Sequence, residues 1–214
     1  ANGVNLPRSA FVGSAEDAAK AAADIGFPVA LKIVAPAYSH KTEIGGVLLG
    51  IQTAEEVADG VATLASRIHT ADAQAKIDGF LVQEMVSGVE IIAGCREDPI
   101  YGPVVLVGVG GVLVELVRDA SMRLLPVTDD DVRAMIGELK AADILAGFRG
   151  SEAADVSALV RAVVGLGDIF LDHRHLLADL EVNPLIVRPE GQGVAAVDVR
   201  PVRREAARQS SGRL

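Results

Sequence analysis

Short apolar runs alternate with amphipathic stretches along the chain, and each change of period marks an element. Ser14, followed by Asp17, is a capping-box pattern, and the Ala-rich run Ala15 to Ile25 predicts a helix ending at Gly26. Phe27-Pro28 opens an apolar strand, Val29 to Val34, interrupted by one charge at Lys32. A loop from Ala35 to Gly46 follows, then a short strand, Val47 to Ile51. Thr53 and Glu56 make a second capping box and start a helix that runs to about His69. Phe80 to Met85 and Val89 to Arg96 read as paired strands, bounded by Ser87-Gly88 and by Asp98-Pro99. Pro103 to Gly108 and Val112 to Val117 predict further strands on either side of a Gly110-Gly111 turn. Thr128 and Asp131 cap a helix to about Lys140, and another fits Val156 to Asp172. Ala178 to Val187 and Val194 to Val199 predict a closing hairpin around 188–193. Strands and helices mix without strict βαβ alternation, so the expected class is α+β, with largely antiparallel sheets. There is no internal repeat.

Composition narrows the partners. The chain has 214 residues, half of them hydrophobic, enough for one large domain or two small lobes with a packed core. Its formal charge of -9 argues against general binding of nucleic acid or an anionic membrane, which need a basic face. Cys95 is the only cysteine, which excludes an intrachain disulfide and a cysteine zinc cluster. Neither a signal peptide nor a bilayer-spanning apolar run is present, and the expected location is cytoplasmic. Arg200 to Leu214 turns polar and Arg-rich and reads as a frayed tail or linker.

The richest chemistry lies in the closing hairpin. With Val187 opposite Val194, the same register sets Asn183 opposite Asp198, Cβ atoms about 4.5–5.5 Å apart. Glu181, two residues before Asn183, shares its face. Two carboxylates and an amide oxygen inside apolar strands suit magnesium, a hard cation that takes oxygen ligands and shares its shell with phosphates. The other reading is the solvent-facing side of an edge hairpin, which Pro184 favours. Lys32 also has two readings, a phosphate clamp pointing into a cavity or a lysine extending to water from an edge strand.

Between Pro36 and Gly45-Gly46 lie His40 and Lys41, in a loop whose amides could cover phosphates and whose imidazole could act as a nucleophile. Glu84-Met85-Val86 ends a strand at a turn, where main-chain groups could meet an adenine edge and Glu90 could accept from ribose hydroxyls; an ordinary hairpin fits as well. Gly108-Val109-Gly110-Gly111 leads into a strand pattern rather than a helix, so a tight turn is favoured over a dinucleotide fingerprint. His173 and His175, beside Asp172 and Asp179, fit a solvated helix end better than a metal site.

In order along the chain, Gly26-Phe-Pro-Val-Ala-Leu-Lys-Ile-Val, Ser39-His-Lys-Thr-Glu-Ile-Gly-Gly-Val, Val82-Gln-Glu-Met-Val, Gly108-Val-Gly-Gly and Leu180-Glu-Val-Asn-Pro occur together. This series resembles the ATP-grasp domain, of beta-subunit type, of ADP-forming acyl-CoA synthetases, a group related to the succinyl-CoA synthetase beta subunit. The resemblance covers about residues 7 to 200. It implies an ATP-grasp fold of two α/β lobes enclosing a nucleotide cleft, with lobes at 1–86 and 87–200 and a polar tail at 201–214. It also implies roles: Lys32 on the phosphates, Glu84, Met85 and Val86 at the adenine, Glu90 near the ribose, and Asn183 and Asp198 on Mg2+ with Glu181 beside them. His40 would be a phosphohistidine on a moving loop, with Lys41 and Arg123 as further phosphate contacts.

The implied reaction is that of an acid–thiol ligase, converting acyl-CoA, phosphate and ADP reversibly into acid, CoA and ATP. CoA and acyl-phosphate sites are not visible in these residues, so a CoA-binding ligase domain or alpha-type subunit is the expected partner, and the start at Ala1 suggests an excised part. A non-catalytic regulatory ATP-grasp-like module of a larger acetyltransferase-type protein is the alternative. The intact set Lys32, His40, Glu181, Asn183 and Asp198 favours catalysis. A carboxylate–amine ligase would need no loop histidine.

Overall fold

A computed structural model describes residues 4–35, 45–111, 119–140, 142–147 and 152–204. The chain divides into two compact units, Pro7–Val86 and a second made of Ala1–Leu6 with Ser87–Leu214. The first residues thus part from the expected lobe 1–86, because strand β1 (Val4–Asn5) pairs in parallel with Val194 and Ala195.

The first unit contains β2 (Ser9–Val12), α1 (Ala15–Ile25), β3 (Val29–Val34), β4 (Val47–Ile51), α2 (Ala54–Ala71) and β5 (Gly79–Glu84). Among the described residues its antiparallel sheet has four strands, in the order β2-β5-β3-β4. The Ser14 and Thr53 hydroxyls accept from the amides of Asp17 and Glu56, satisfying donors that each helix start leaves over. Val29, Leu31 and Ile33 alternate onto the face where Ala18 and Ala22 of α1 and Val57, Leu64 and Ile68 of α2 complete a buried core. The small side chains of α1 let helix and sheet approach closely.

The second unit contains β6 (Val89–Asp98), β7 (Gly102–Val109), β8 (Ala120–Leu124), α3 (Asp129–Gly137), α4 (Val156–His173), β9 (Leu177–Val187), β10 (Val194–Ala196) and β11 (Val199–Arg203). Among the described residues its sheet has seven strands, β1-β10-β9-β6-β7-β8, with β11 also on β9. Ile91, Ala93, Cys95, Val105, Val107, Val182 and Leu185 turn inward against Leu159, Val163 and Phe170 of α4 and Val132 and Met135 of α3.

Several sequence expectations need correction. The strands on either side of Ser87-Gly88 do not pair with each other: β5 lies between β2 and β3, and β6 between β7 and β9. Here the chain passes from one sheet to the other, and Gly88 sits so close to Val187 that a Cβ would fall 2.3 Å from its carbonyl oxygen. The helix capped at Thr128 ends at Gly137 rather than near Lys140. Residues 200–203 are not a frayed tail but most of β11, held on β9. Nor is β9 an edge strand; Pro184 is tolerated because it lies at an irregularity against β6, where Ile91 faces Leu185 and Ala93 faces Val182, leaving Asn183 and Pro184 opposite Ile92 alone. The expected strand at Val112 to Val117 lies outside the described residues.

The start of α4 is tied to the hairpin turn by Asp155, which is buried and accepts from the amides of Ala158 at 2.9 Å and Gly193 at 3.0 Å. The Ala158 bond, aided by the Gly193 and Gly191 amides, holds its carboxyl below the usual range against the effect of burial. Asp155→Ala should therefore cost about 1–3 kcal/mol, read as a shift in the urea midpoint. A depressed folded pKa contributes stability above the unfolded value and loses it as pH falls through the folded one. The gap between parent and variant should accordingly close in acid.

Candidate functional site

The hairpin has the register expected of it, with Val187 opposite Val194. β10 ends at Ala196, yet the alignment persists across the break, since Val199 faces Val182 and Arg200 faces Glu181. In the gap, the Asn183 amide donates to the Asp198 carbonyl at 2.9 Å and the Val197 amide to that of Pro184 at 3.1 Å. Asn183 and Asp198 are thus fixed opposite each other by the main chain, both exposed, and the extra residue in β9 re-aims them out of the core.

Glu181 lies on the same sheet face, accepting from Asn183 Nδ2 at 3.1 Å and from the Arg200 guanidinium at 2.6 Å. Asp179, two residues earlier on β9, faces Arg96 of β6. Burial pushes the Asp179 carboxyl up, Arg200 and Arg96 counter this, and Glu181 adds to it. With Nδ2 on Glu181, the Asn183 amide keeps Oδ1 for a cation. Two carboxylates and one amide oxygen form an oxygen-only donor set that fits magnesium, whose remaining positions suit water and phosphate oxygens. Among the described residues no three His, Cys, Asp or Glu side chains form a metal-holding group by themselves, so a metal here would need the Asn183 amide oxygen as well.

In the first unit, Lys32 sits on β3 with β5 on one side and β4 on the other, opposite Leu81 and Val47. It is 5% exposed, on the sheet face away from α1 and α2. The edge-strand reading is therefore overturned: an inner strand keeps this lysine from reaching bulk water along an open edge. At the end of β5, Glu84 accepts from the Arg8 amide at 3.1 Å and side chain at 3.4 Å. Its own amide donates to the Arg8 carbonyl and that of Met85 to Pro28, while among the described residues the Val86 amide meets no main-chain acceptor.

Other expected residues fall elsewhere. Glu90 is exposed, on the same sheet face as Glu181, and lines a cavity of about 690 Å³ with Gly110, Gly111 and Glu152. The Gly110 amide donates to the Glu90 carbonyl at 2.7 Å, and a Cβ at Gly110 would come within 2.9 Å of Glu90, so these glycines serve a tight turn. Arg123, on β8, binds the Glu138 carboxylate and the Ser121 hydroxyl, so its guanidinium already has an anionic partner, with β6 and β7 between it and β9. His40 and Lys41 lie outside the described residues. His173 contacts the Ile169 carbonyl at an exposed helix end, while Arg174 pairs with Glu97. Burial pushes the Cys95 thiol up to about 12, which excludes thiolate chemistry at neutral pH.

Sequence reasoning did not bring Arg96 or Arg200 to this site, and it read Asp179 as part of a solvated helix end, whereas it lies on β9. The hairpin alignment itself held the signal for Arg200, since the register that pairs Asn183 with Asp198 pairs Glu181 with Arg200.

Residues 1–202 match the ATP-grasp domain family, and the chain belongs to it. One relative is the beta subunit of the ADP-forming acetate–CoA ligase II of Pyrococcus furiosus, 34% identical over 201 residues, or 94% of this chain and 85% of that one. A trans-feruloyl-CoA synthase of an unknown prokaryotic organism is 39% identical over 197 residues, or 92% of this chain but 28% of the relative, so the chain spans less than a third of that longer protein. Among solved structures, an acetyl-coenzyme A synthetase of Ca. Korarchaeum cryptofilum in complex with coenzyme A and Ca-AMPCP superimposes with a TM-score of 0.87 at 38% identity, covering 95% of this chain and 88% of that one. The same enzyme with coenzyme A and Mg-AMPPCP, its phosphohistidine segment pointing towards the nucleotide binding site, gives 0.77 at 35% identity, over 95% and 87%. The fold is thus ATP-grasp, mixed α and β with largely antiparallel sheets, shared with ADP-forming CoA ligases. Among the described residues no helix is long and apolar enough to cross a membrane.

Proposed function

We propose that this chain is the nucleotide-handling part of an ADP-forming acyl-CoA synthetase, transferring a phosphoryl group between ATP and His40. The observation that carries this reading is the opposed Asn183–Asp198 pair beside Glu181, held by main-chain bonds in a chain of the ATP-grasp family. Lys32 binds the nucleotide phosphates, Glu84 to Val86 the adenine with the Val86 amide as donor, and Glu90 the ribose. Glu181, Asn183 and Asp198 hold magnesium, which when bound neutralises phosphate charge.

The His40 imidazole attacks the γ-phosphorus, a nitrogen–phosphorus bond forms as the bond to the ADP oxygen breaks, and ADP leaves. In reverse, the phosphohistidine returns the group to ADP. Positioning and charge neutralisation do most of this work. Lys41 and Arg123 are further phosphate contacts, Arg123 while also pairing with the Glu138 carboxylate.

CoA and the acyl group bind to a ligase domain or alpha-type subunit outside these residues, in keeping with relatives that are either far longer or beta subunits. The cytoplasm supplies ATP, magnesium and CoA together and is the location this reading requires. Asn183→Ala should weaken magnesium-dependent ADP binding about tenfold, the cost of one lost charge-assisted contact. Calorimetry with and without magnesium measures this, and equal binding by parent and variant would remove the hairpin from the nucleotide site.

A further inference from the structure

Resting on the magnesium reading of the hairpin, a further role emerges for a residue that reading leaves out. The Arg200 guanidinium donates to Glu181 Oε2 at 2.6 Å, while Glu181 Oε1 accepts from Asn183 at 3.1 Å. Both oxygens of the central carboxylate are therefore engaged by protein groups. Arg200 enters this position through the same ladder that aligns the donor set, one turn of the alternation beyond Asp198. On this sheet face Asp179, Glu181 and Asp198 carry negative charge, and Arg96 and Arg200 carry positive charge opposite Asp179 and Glu181. The Arg200 guanidinium thus sits on the central carboxylate of the set, two residues along the chain from Asp198.

We propose that Arg200 is the built-in counter-ion of these carboxylates, a positioning residue that holds Glu181 in the metal-free chain and is displaced by a divalent cation. A fixed cation at this spot keeps the carboxylates from repelling one another when no metal is present. It also opposes the metal by like-charge repulsion, so metal affinity is set below what the donor set alone would give. The consequence is a site that discriminates in favour of metal arriving with nucleotide, because the phosphates bring the negative charge that the guanidinium has offset.

The test titrates Mn2+ into the full chain, with and without ADP, and follows free Mn2+ by electron paramagnetic resonance. In the absence of ADP, Arg200→Gln should bind Mn2+ about three- to tenfold more tightly than the parent, and the advantage of adding ADP should shrink. Arg200→Lys, which keeps the charge, should stay within about twofold of the parent. Thermal melting should show the Gln variant less stable without metal and more strongly stabilised by it. If Arg200→Gln binds Mn2+ no more tightly while Asn183→Ala binds it less, the hairpin holds metal but the counter-ion role is wrong. A lysine variant as tight as the glutamine one would overturn it too, by removing charge as the determinant. If Asn183→Ala binds Mn2+ as the parent does, the magnesium reading fails and this inference fails with it.

Discussion

His40→Ala is expected to abolish acid-labile phosphate incorporation from ATP, a fall of roughly a thousandfold or more to background, as for loss of a nucleophile. The reason is chemical. An imidazole presents a neutral nitrogen near pH 7, and a phosphate on that nitrogen is lost in acid yet survives alkali. Ser39 and Thr42, on either side of His40 and Lys41, are the competing acceptors, and phosphate esters on their hydroxyls resist acid. Acid lability therefore identifies the acceptor without relying on the mutation alone. ADP and magnesium binding by His40→Ala should match the parent, because phosphoryl acceptance and nucleotide grip lie on separate residues. Label persisting in the variant with unchanged acid lability would end the relay. Loss of label together with loss of ADP binding would mean that the loop serves binding instead.

The helices were legible from their ends. Ser14, Thr53 and Thr128 each place an oxygen where a helix start needs an acceptor, and all three hydroxyls accept from the amide three residues on. The hairpin register, Val187 opposite Val194, is an assumption from where the turn falls, because Leu185–Val187 and Val194–Ala196 are apolar on both faces and alternation cannot fix it; the structure has that register. Strand neighbours were not legible. Phe80 to Met85 and Val89 to Arg96 alternate as paired strands would, but alternation reports which face is buried and carries no information on which strand lies alongside. Their separation depends on contacts with β2, β3, β7 and β9, distant in sequence. The same gap hid β9 as an inner strand, since a proline there needs a break in pairing that only the structure displays. Arg200 was missed for another reason: its polar, Arg-rich surroundings read as solvated, and composition outweighed the ladder that continues through it. Arg96 and Asp179 face each other only because β6 and β9 pair, a long-range fact of the same kind.

Lys32→Met should lower affinity for ADP with magnesium roughly 10- to 150-fold, the equivalent of one charge-assisted bond of about 1.5–3 kcal/mol. Methionine keeps the length and apolar body of the side chain, so its packing between Val47 and Leu81 should be retained. The melting temperature, in which about 1 kcal/mol corresponds to about 2–4 °C in a chain of this size, reads separately what the side chain's contacts within the protein contribute. This split between binding and stability separates two roles that burial alone leaves joined. A lysine kept for packing loses little in either measurement when an isostere replaces it. A lysine kept for a structural ion pair loses stability, because its partner stays behind inside the protein. Only a phosphate ligand loses affinity at nearly constant stability. Because Lys32 belongs to an inner strand and is 5% exposed, desolvation strengthens its attraction for any phosphate that reaches it. Arg in its place should not restore binding, since a planar fork cannot occupy the space of a narrow stem ending in a point charge.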